Sequence, residues 1–370
     1  MSTRKIRTGI ILSLMLAFIV MVAIALYADV PQMFRAFAHF RWEFLPVILG
    51  LTLFNYFFRF FKWQYYLRRL KIQLKWKSSF LIFLSGLSMA ITPGKVGELL
   101  KSYLLKRTTG EPISRTSPII VAERLSDGIA MLLLAATGLV LYRFGWELLL
   151  FLLVVGLGGI MIIQNRRLSL ALLSYGERLP LVSRVAHLVR AFYESAYILL
   201  QWKPLLLAVS IGFVSWSGEC GALYFVFTGL GIAPTPDLLI KATFILAVSS
   251  LVGSASGLPG GLGTADGSML GLTRLLVTPS AAVAGAATLL IRLCTLWFGL
   301  GIGVIALLVF RSTQRTHLLF EGEAGEDGED SEDSKGEEQK PNTSSALPVN
   351  DYQRGLESVA SSAGTGDKLL

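Results

Sequence analysis

The sequence is poor in the side chains that build disulfides and metal centres. Its 370 residues include two cysteines, Cys220 and Cys294, and both lie in apolar segments. Its three histidines, His39, His187 and His317, lie far apart in connections between apolar runs. This scarcity argues against a disulfide framework and against a metal site. Because no Ser/His/Asp or Cys/His arrangement stands out either, the sequence predicts a protein that is not an enzyme and uses no cofactor.

Charged residues are also scarce for a chain of this length. They make up 16% of the sequence, whereas hydrophobic residues make up 53%, and the mean hydropathy is +0.59. A soluble domain of this size would not need so many apolar residues. The composition therefore predicts an all-α polytopic membrane protein.

The few charges are unevenly distributed between the two signs. Residues 321–370 hold 4 basic and 13 acidic side chains, which leaves 30 basic and 12 acidic residues, a net charge of +18, in the first 320. Most of the basic residues flank apolar runs on one predicted side, which the positive-inside rule assigns to the cytoplasm. We therefore predict a plasma-membrane protein with both termini in the cytoplasm. We also predict that residues 317–370 form a disordered acidic tail, separate from a transmembrane domain over residues 1–316.

About six apolar runs are long enough to cross a bilayer. They are Gly9–Tyr27, Phe44–Phe61, Ser117–Leu141, Trp146–Ile163, Pro204–Leu230 and Ala281–Phe310. Basic residues precede the first run, which we interpret as an uncleaved anchor, with a cleaved signal peptide as the alternative. In the long basic connection after the fourth run, Leu181–Tyr197 has apolar residues at helical spacing. This pattern indicates a helix that either lies on the inner leaflet or serves as an ordinary linker.

Two further apolar regions are interrupted by glycine and proline. Thr92–Gly97 separates Phe80–Ile91 from Glu98–Leu105, and a Gly-rich stretch within Gly253–Met269 separates the two limbs of the second region. Irregular backbone at membrane depth is tolerated only where it lines a cavity or is buried in protein. Each interruption therefore predicts a broken re-entrant hairpin, and such pairs indicate a substrate site.

The two breaks match each other along the chain. Pro93 and Pro259 lie in similar motifs at an offset of 166 residues, and Arg124 and Arg292 lie in similar motifs at an offset of 168 residues. The order of span, hairpin and span occurs twice, once approached from each side of the membrane. The sequence thus predicts an inverted-topology repeat, with repeat 1 at about 44–141 and repeat 2 at about 204–310.

The first break has the properties of an anion-binding site. Thr92 is a predicted N-cap, so the exposed N–H groups of a half-helix would follow it and attract phosphate. Lys95 and Lys101 add positive charge, and Gly94 and Gly97 allow a headgroup to approach the backbone. The alternative is that these glycines serve only tight helix packing.

Charged residues within the apolar regions form a second group of candidates, because charges are costly at membrane depth. Glu98 lies three residues from both Lys95 and Lys101, a spacing that predicts pairing on one helix face. Glu123 and Asp127 share one face of the following span. The alternative is a buried ion-pair network that only locks helices together. Its members would be Glu98, Glu123, Asp127, Arg124, Lys101 and Arg59.

Arg292 has no acidic neighbour within its own apolar run, so its charge needs a partner from elsewhere. The available partners are Glu219, Asp266 and a lipid phosphate. The correspondence between Arg124 and Arg292, each of which follows a Gly-rich break, favours the lipid phosphate.

Taken together, these motifs resemble those of a known family. They are Pro93-Gly94-Lys95-x-Gly97-Glu98 with Lys101, Glu123-Arg124-x-x-Asp127-Gly128, and Leu258-Pro259-Gly260-Gly261-x-Gly263. The set resembles the flippase-like membrane domain of the lysylphosphatidylglycerol synthases over about residues 5–312. The resemblance implies a domain that moves aminoacylated phosphatidylglycerol between leaflets. It also implies a stand-alone member without the soluble acyltransferase domain that makes this lipid, so aminoacyl transfer is not implied.

We therefore expect a membrane protein that binds and translocates an anionic lipid or a lipid-phosphate carrier. The alternatives are a scaffold or regulator of a lipid-synthesising enzyme and a secondary transporter of a small soluble anion. Lipid cargo predicts a lateral opening, a soluble anion predicts a closed aqueous vestibule, and a scaffold predicts no polar cavity. The expected partners are membrane lipids and, in the scaffold alternative, a lipid-synthesising enzyme, and no nucleic acid is expected.

The candidate site residues fall into two groups by expected role. The headgroup-binding candidates are Gly94, Lys95, Gly97, Lys101, Arg124, Gly260, Gly261, Gly263 and Arg292. The candidates for charge balance or proton relay are Glu98, Glu123, Asp127, Glu219 and Asp266.

Overall fold

The computed structural model describes residues 30–92, 97–142, 146–176 and 186–329, together with Met15, Ile19, Val20 and Val22. Within these residues the backbone forms helices, turns and connections, with no strand. This confirms the predicted all-α class. Three predicted features lie wholly or largely outside the described residues: the first span Gly9–Tyr27, the centre of the first break at residues 93–96, and the tail beyond residue 329.

The described helices follow the predicted apolar runs closely. We number them α1 (Val30–Ala38), α2 (Leu45–Arg69), α3 (Trp76–Leu87), α4 (Leu99–Thr109), α5 (Ile113–Tyr142), α6 (Trp146–Gln164), α7 (Arg166–Gly176), α8 (Ala186–Leu199), α9 (Trp202–Gly229), α10 (Pro236–Ala255), α11 (Thr264–Leu276), α12 (Ala281–Arg292) and α13 (Phe298–Glu329). A 3-10 turn, Trp42–Phe44, precedes α2, and another, Pro259–Gly261, lies between α10 and α11.

Several of these helices are long and apolar enough to cross a membrane. Four segments qualify by length and composition, at Trp42–Arg69, Trp202–Gly229, Pro236–Ala255 and Ala281–Thr313. The protein is therefore a polytopic membrane protein. The third segment contains α10, which was predicted to be only one limb of a re-entrant hairpin. Because α10 is 20 residues long, it has the length to cross by itself.

Among the described residues, the helices pack around two large apolar cores, with three smaller apolar clusters besides. In the first core, Ile48 of α2 packs with residues of α9, α10 and α12, including Phe227 and Ile245. In the second core, Trp63 near the other end of α2 packs with residues of α3, α4, α5 and α8, including Leu105. Helix α2 therefore runs through both cores, and its central residues lie between them. The candidate site lies at this level.

The first break begins after α3, where the chain turns. The Thr92 hydroxyl accepts a hydrogen bond from the Gly97 N–H at 2.9 Å. A 3-10 conformation at Gly97 and Glu98 precedes α4, which begins at Leu99. Because residues 93–96 lie outside the described residues, the role of Thr92 as a helix N-cap stays a prediction.

The second break depends on backbone conformations that glycine adopts most easily. Gly257, Gly260, Gly261 and Gly263 have φ angles of +67°, +60°, +67° and +83°. A side chain is strained in this left-handed region because its Cβ approaches the following carbonyl oxygen. The interruption predicted from the glycine content is thus an irregular segment between α10 and α11.

A substitution at Gly261 tests this dependence. A Cβ on Gly261 would lie 3.0 Å from the Gly253 Cα atom and 3.3 Å from the Ala265 Cβ atom. We expect Gly261→Ala to lower the free energy of unfolding by about 1–2 kcal/mol from the φ strain alone, with the close contact adding to the loss. Denaturant titration in detergent measures the change.

Gly267→Ala is the matched control for this substitution. Gly267 lies within α11, and a Cβ there meets open space. We expect this change to raise the free energy of unfolding by roughly 0.5–1 kcal/mol, because alanine favours a helix interior. Equal stability of the two variants would contradict the requirement for glycine at position 261.

The last predicted span, Ala281–Phe310, is helical but not uniform. Helix α12 ends at Arg292, a π-helical turn follows at Leu293–Trp297, and α13 then continues. The chain divides into two units, residues 1–315 and 316–370. In the second unit the backbone is helical to Glu329. Disorder of the tail, predicted for residues 317–370, stays a prediction.

Candidate functional site

A cavity of about 550 Å³ lies between the two apolar cores. This volume is within the range of small-molecule sites, which is about 300–1,000 Å³. Among the described residues, six charged side chains line it: Arg59, Glu98, Arg124, Asp127, Glu219 and Arg292. They come from α2, α5, α9, α12 and the residue just before α4. Residues from both predicted repeats therefore contribute to one site.

The rest of the cavity wall is mainly apolar. Its apolar residues are Leu87, Ala90, Ile120, Val121, Leu125, Met131, Leu246, Leu251, Ala265, Met269, Ile291, Leu296 and Leu300. Two lining residues, Val121 of α5 and Ser254 of α10, are exposed and not buried. The cavity thus presents charged and apolar surface together, an arrangement that suits an amphiphile.

In the described first half of the chain, three ion pairs between neighbouring helices lie at or behind the cavity wall. Arg124 binds Glu98 with two hydrogen bonds, of which the one from Nε to Oε2 is 2.9 Å long. Lys101 of α4 pairs with Glu123 of α5, and both side chains are buried. The pairing of Glu98 with Lys101 that we predicted within one helix face is therefore wrong, because each residue pairs instead with a side chain of α5.

The third ion pair joins Lys62 of α2 to Asp127 of α5. It is the most buried of the set, with only 1% and 6% of the two side chains exposed. The structure therefore contains the buried ion-pair network that the sequence offered as an alternative. Lys62 is a member of this network, whereas Arg59, which the sequence had included, is not.

The second break is held by Arg292. Its guanidinium pairs with Asp266 of α11 and donates to the carbonyl oxygens of Gly260, at 3.3 Å, and Gly261, at 3.4 Å. Asp266 also accepts the Gly263 N–H at 2.8 Å. Of the partners considered for Arg292, the structure brings Asp266 to it.

The two arginine pairs occupy corresponding places along the chain. Glu98 and Arg124 are 26 residues apart, and so are Asp266 and Arg292. Each pair joins the helix that follows a break to the next long helix. This regularity is what an internal duplication would produce, and the symmetry axis that relates the two halves stays a prediction.

Two cavity charges differ from the others because they have no ion-pair partner. Among the described residues, neither Arg59 nor Glu219 makes an ion pair or a hydrogen bond. The Arg59 guanidinium lies 5.8 Å from the centre of the Trp216 ring, a cation–π distance. Glu219 is only 8% exposed. The described part of the cavity wall therefore contains one unpaired cation and one unpaired carboxylate.

The predicted site residues divide into three groups by position. Those that line the cavity are Arg124, Gly260, Gly261, Arg292, Glu98, Asp127 and Glu219. Those that lie behind its wall or beside the breaks are Gly97, Lys101, Glu123, Gly263 and Asp266. Gly94 and Lys95 lie outside the described residues. Their roles in binding stay predictions.

The sequence interpretation missed the role of α2 in this site. From the sequence, Arg59 was expected only in the alternative ion-pair network and Lys62 had no expected role in the site, whereas Arg59 lines the cavity and Lys62 pairs with Asp127 of its wall. Tyr56 also lines the cavity, and its hydroxyl donates to the Thr295 carbonyl oxygen in the π-helical turn at 2.7 Å. The spacing of three residues from Tyr56 to Arg59 and from Arg59 to Lys62 places all three near one helix face and could have indicated this role.

The described residues contain no group of three or more His, Cys, Asp or Glu side chains that could hold a metal ion. The chemistry that the cavity offers is therefore that of arginine and carboxylate side chains and glycine carbonyls against an apolar wall.

Comparison with known proteins agrees with this membrane architecture. A family model described as "Lysylphosphatidylglycerol synthase TM region" matches residues 10–303. A UPF0104 membrane protein of Methanothermobacter thermautotrophicus is 27% identical over 287 residues, which cover 70% of this chain and 82% of that protein. A UPF0104 membrane protein of Methanocaldococcus jannaschii is 26% identical over 204 residues, which cover 50% of this chain and 78% of that protein. The residues matched by the family model include all six charged residues of the cavity wall.

Proposed function

The chain belongs to the lysylphosphatidylglycerol synthase TM region family, and from this premise we propose that it binds a phosphate-bearing lipid in its cavity and moves that lipid between leaflets. One observation carries the proposal: the unpaired Arg59 lies in the same cavity as a continuous set of apolar side chains. A lipid has both a phosphate for the cation and an acyl chain for the apolar wall.

Arg59 is the best-suited phosphate ligand among the cavity cations. A guanidinium donates two parallel hydrogen bonds to phosphate and is more weakly hydrated than an ammonium group, so it is favoured where charge is buried. Arg124 and Arg292 already bind Glu98 and Asp266, so a phosphate would have to displace a carboxylate there. Arg124, whose side chain is 34% exposed, is the more accessible of the two.

The apolar wall favours lipid over the two alternative functions. A small soluble anion has no apolar part, so a site for it would not need side chains such as Ile120 and Leu296 on its wall. A scaffold would not need a cavity with charged walls. The exposure of Val121 and Ser254 in the cavity wall supports a lateral opening through which an acyl chain can pass. A catalytic step is not part of this function, and the absence of enzymatic activity stays a prediction.

Binding of short-chain phosphatidylglycerol to the purified protein tests the role of Arg59. We expect Arg59→Gln to weaken binding about ten- to a hundredfold, since a charge-assisted hydrogen bond contributes roughly 1.5–3 kcal/mol. Arg68→Gln is the matched control, because Arg68 lies on the same helix and is exposed. Glycerol phosphate distinguishes a lipid from a free anion and is expected to bind more weakly, because it lacks the chains that contact the apolar wall.

Translocation is measured separately, in vesicles whose outer leaflet carries labelled phosphatidylglycerol. We expect the wild-type protein to accelerate exchange of the label between leaflets and Arg59→Gln to abolish the acceleration. Binding of the lipid without exchange would favour the scaffold or regulator. Tighter binding of glycerol phosphate than of the lipid would favour the transporter of a soluble anion.

A further inference from the structure

We propose that lipid binding in this cavity is coupled to uptake of one proton by Glu219. The inference rests on the proposed function, because it assigns a role to a second residue of the same site. On binding, a proton from water would bond to the Glu219 carboxylate, and on release of the lipid it would return to water. The protein would then carry a proton with each phosphate headgroup.

Glu219 is the one carboxylate of the described cavity cluster without a cation bound to it. It lies in the second half of α9, is 8% exposed and lines the cavity. An ionisable residue within a membrane span is a candidate for a proton relay or another functional role, because an unpaired charge there is expensive. Its position beside open cavity space, in a helix long enough to span the membrane, fits this role.

The groups that face Glu219 come from three of the helices packed against α9. They are Tyr56 and Arg59 of α2, Asp127 of α5 and Arg292 of α12. Asp127 and Arg292 are already paired, with Lys62 and Asp266. The charges of the other two neighbouring elements are also paired, namely Asp237 with Lys241 at the start of α10 and Glu43 with Arg41 beside the turn before α2. Within the described part of the chain, Arg59 is therefore the only unpaired counter-charge for Glu219.

The charges of the described cluster balance when Glu219 is ionised. The cations are Arg59, Lys62, Lys101, Arg124 and Arg292, and the carboxylates are Glu98, Glu123, Asp127, Glu219 and Asp266. A phosphate that binds Arg59 adds one negative charge beside an unpaired carboxylate. Like charges in a poorly hydrated site disfavour joint ionisation, so the neighbouring carboxylate takes up a proton. Protonation of Glu219 restores a neutral cavity.

The coupling has a defined direction with pH. Because bound phosphate raises the proton affinity of Glu219, a proton must by reciprocity raise the affinity for phosphate lipid. Below the pH at which free Glu219 ionises, the lipid finds the carboxylate already protonated and its affinity is constant. Above that pH a proton must be taken up, so the affinity falls by up to about tenfold per pH unit. A proton gradient across the membrane would then drive lipid movement.

Calorimetric titration of the full-length protein in detergent with short-chain phosphatidylglycerol tests the coupling. Titrations in two buffers of different ionisation enthalpy count the protons taken up, and a series from about pH 5 to about pH 9 covers the range in which a perturbed carboxyl titrates. We expect wild-type protein to take up close to one proton per lipid at the higher pH values. Binding with no proton uptake across this range would overturn the coupling and leave the proposed function standing. No binding at all would overturn both.

Two substitutions identify the residue that takes up the proton. Glu219→Gln mimics the protonated form, so we expect it to bind phosphatidylglycerol as tightly as wild-type protein does at low pH, with no proton uptake and no pH dependence. Glu43→Gln is the control and is expected to keep both the proton uptake and the pH dependence of wild-type protein, since Glu43 is exposed and paired with Arg41. Proton uptake that survives in Glu219→Gln would overturn the assignment. A second outcome would also overturn it. If wild-type protein binds phosphatidylcholine more tightly than phosphatidylglycerol and Glu219→Gln loses this preference, Glu219 binds a cationic headgroup instead.

Discussion

Replacing Lys62 with methionine is expected to lower the free energy of unfolding by about 3–5 kcal/mol, the loss typical of breaking a buried ion pair. Lys62 and Asp127 are both buried, and the second carboxylate oxygen of Asp127 has no hydrogen-bond partner in the described part of the structure. Without Lys62 the Asp127 charge is left with no direct partner in a site from which water is largely excluded. Denaturant titration in detergent measures the loss.

Two further variants separate the buried pair from general effects of substitution. Lys77→Met removes an exposed lysine and is expected to change stability by less than about 0.5 kcal/mol. The double variant Lys62→Met with Asp127→Leu removes both charges and is expected to recover most of the lost stability, because apolar residues of similar volume replace buried pairs at little cost. A single variant as stable as wild type would contradict the structural role of the pair.

Replacing Arg292 with alanine is the second change with a large expected effect. It removes the partner of Asp266, whose side chain is only 4% exposed, together with both hydrogen bonds to the glycine carbonyls of the second break. We expect a loss of about 3–5 kcal/mol in the free energy of unfolding. Arg292→Lys is expected to recover part of it, because lysine keeps the charge and loses the planar geometry that reaches several acceptors.

Lipid binding measured on the same Arg292 variants distinguishes Asp266 from a lipid phosphate as the partner. If Asp266 is the partner, the folded fraction of Arg292→Ala should bind phosphatidylglycerol much more tightly than Arg59→Gln does. A variant that folds with wild-type stability and loses lipid binding would contradict the role of the Asp266 pair. Arg311→Ala, at an exposed position of α13, is the control for removing an arginine and should change neither property.

The helices were predictable where apolar runs and their boundaries decide the structure. The run Phe44–Phe61 predicted α2, but that helix continues to Arg69. The apolar run ends at Phe61 because Lys62 follows it, and the sequence cannot show that a distant Asp127 neutralises this lysine inside the protein.

The residues of the candidate site were predictable, but their partners were not. The cost of intramembrane charge identified Glu98, Arg124, Glu219 and Arg292, and the structure brings all four to one cavity. Ion pairs between helices depend on which faces meet, and a single sequence carries no direct record of that. The equal spacing of the two arginine pairs was present in the sequence and would have favoured Asp266 as the partner of Arg292.

The most direct test of lipid binding is an experimental map of the protein in bilayer discs that contain phosphatidylglycerol. The proposed function predicts phosphate density within hydrogen-bonding distance, about 3 Å, of the Arg59 guanidinium, with acyl-chain density that leaves the cavity past Val121. It also predicts that the Glu98–Arg124 and Asp266–Arg292 pairs stay closed. A cavity that holds only water, while lipid is confined to the outer surface of the protein, would contradict the proposed function.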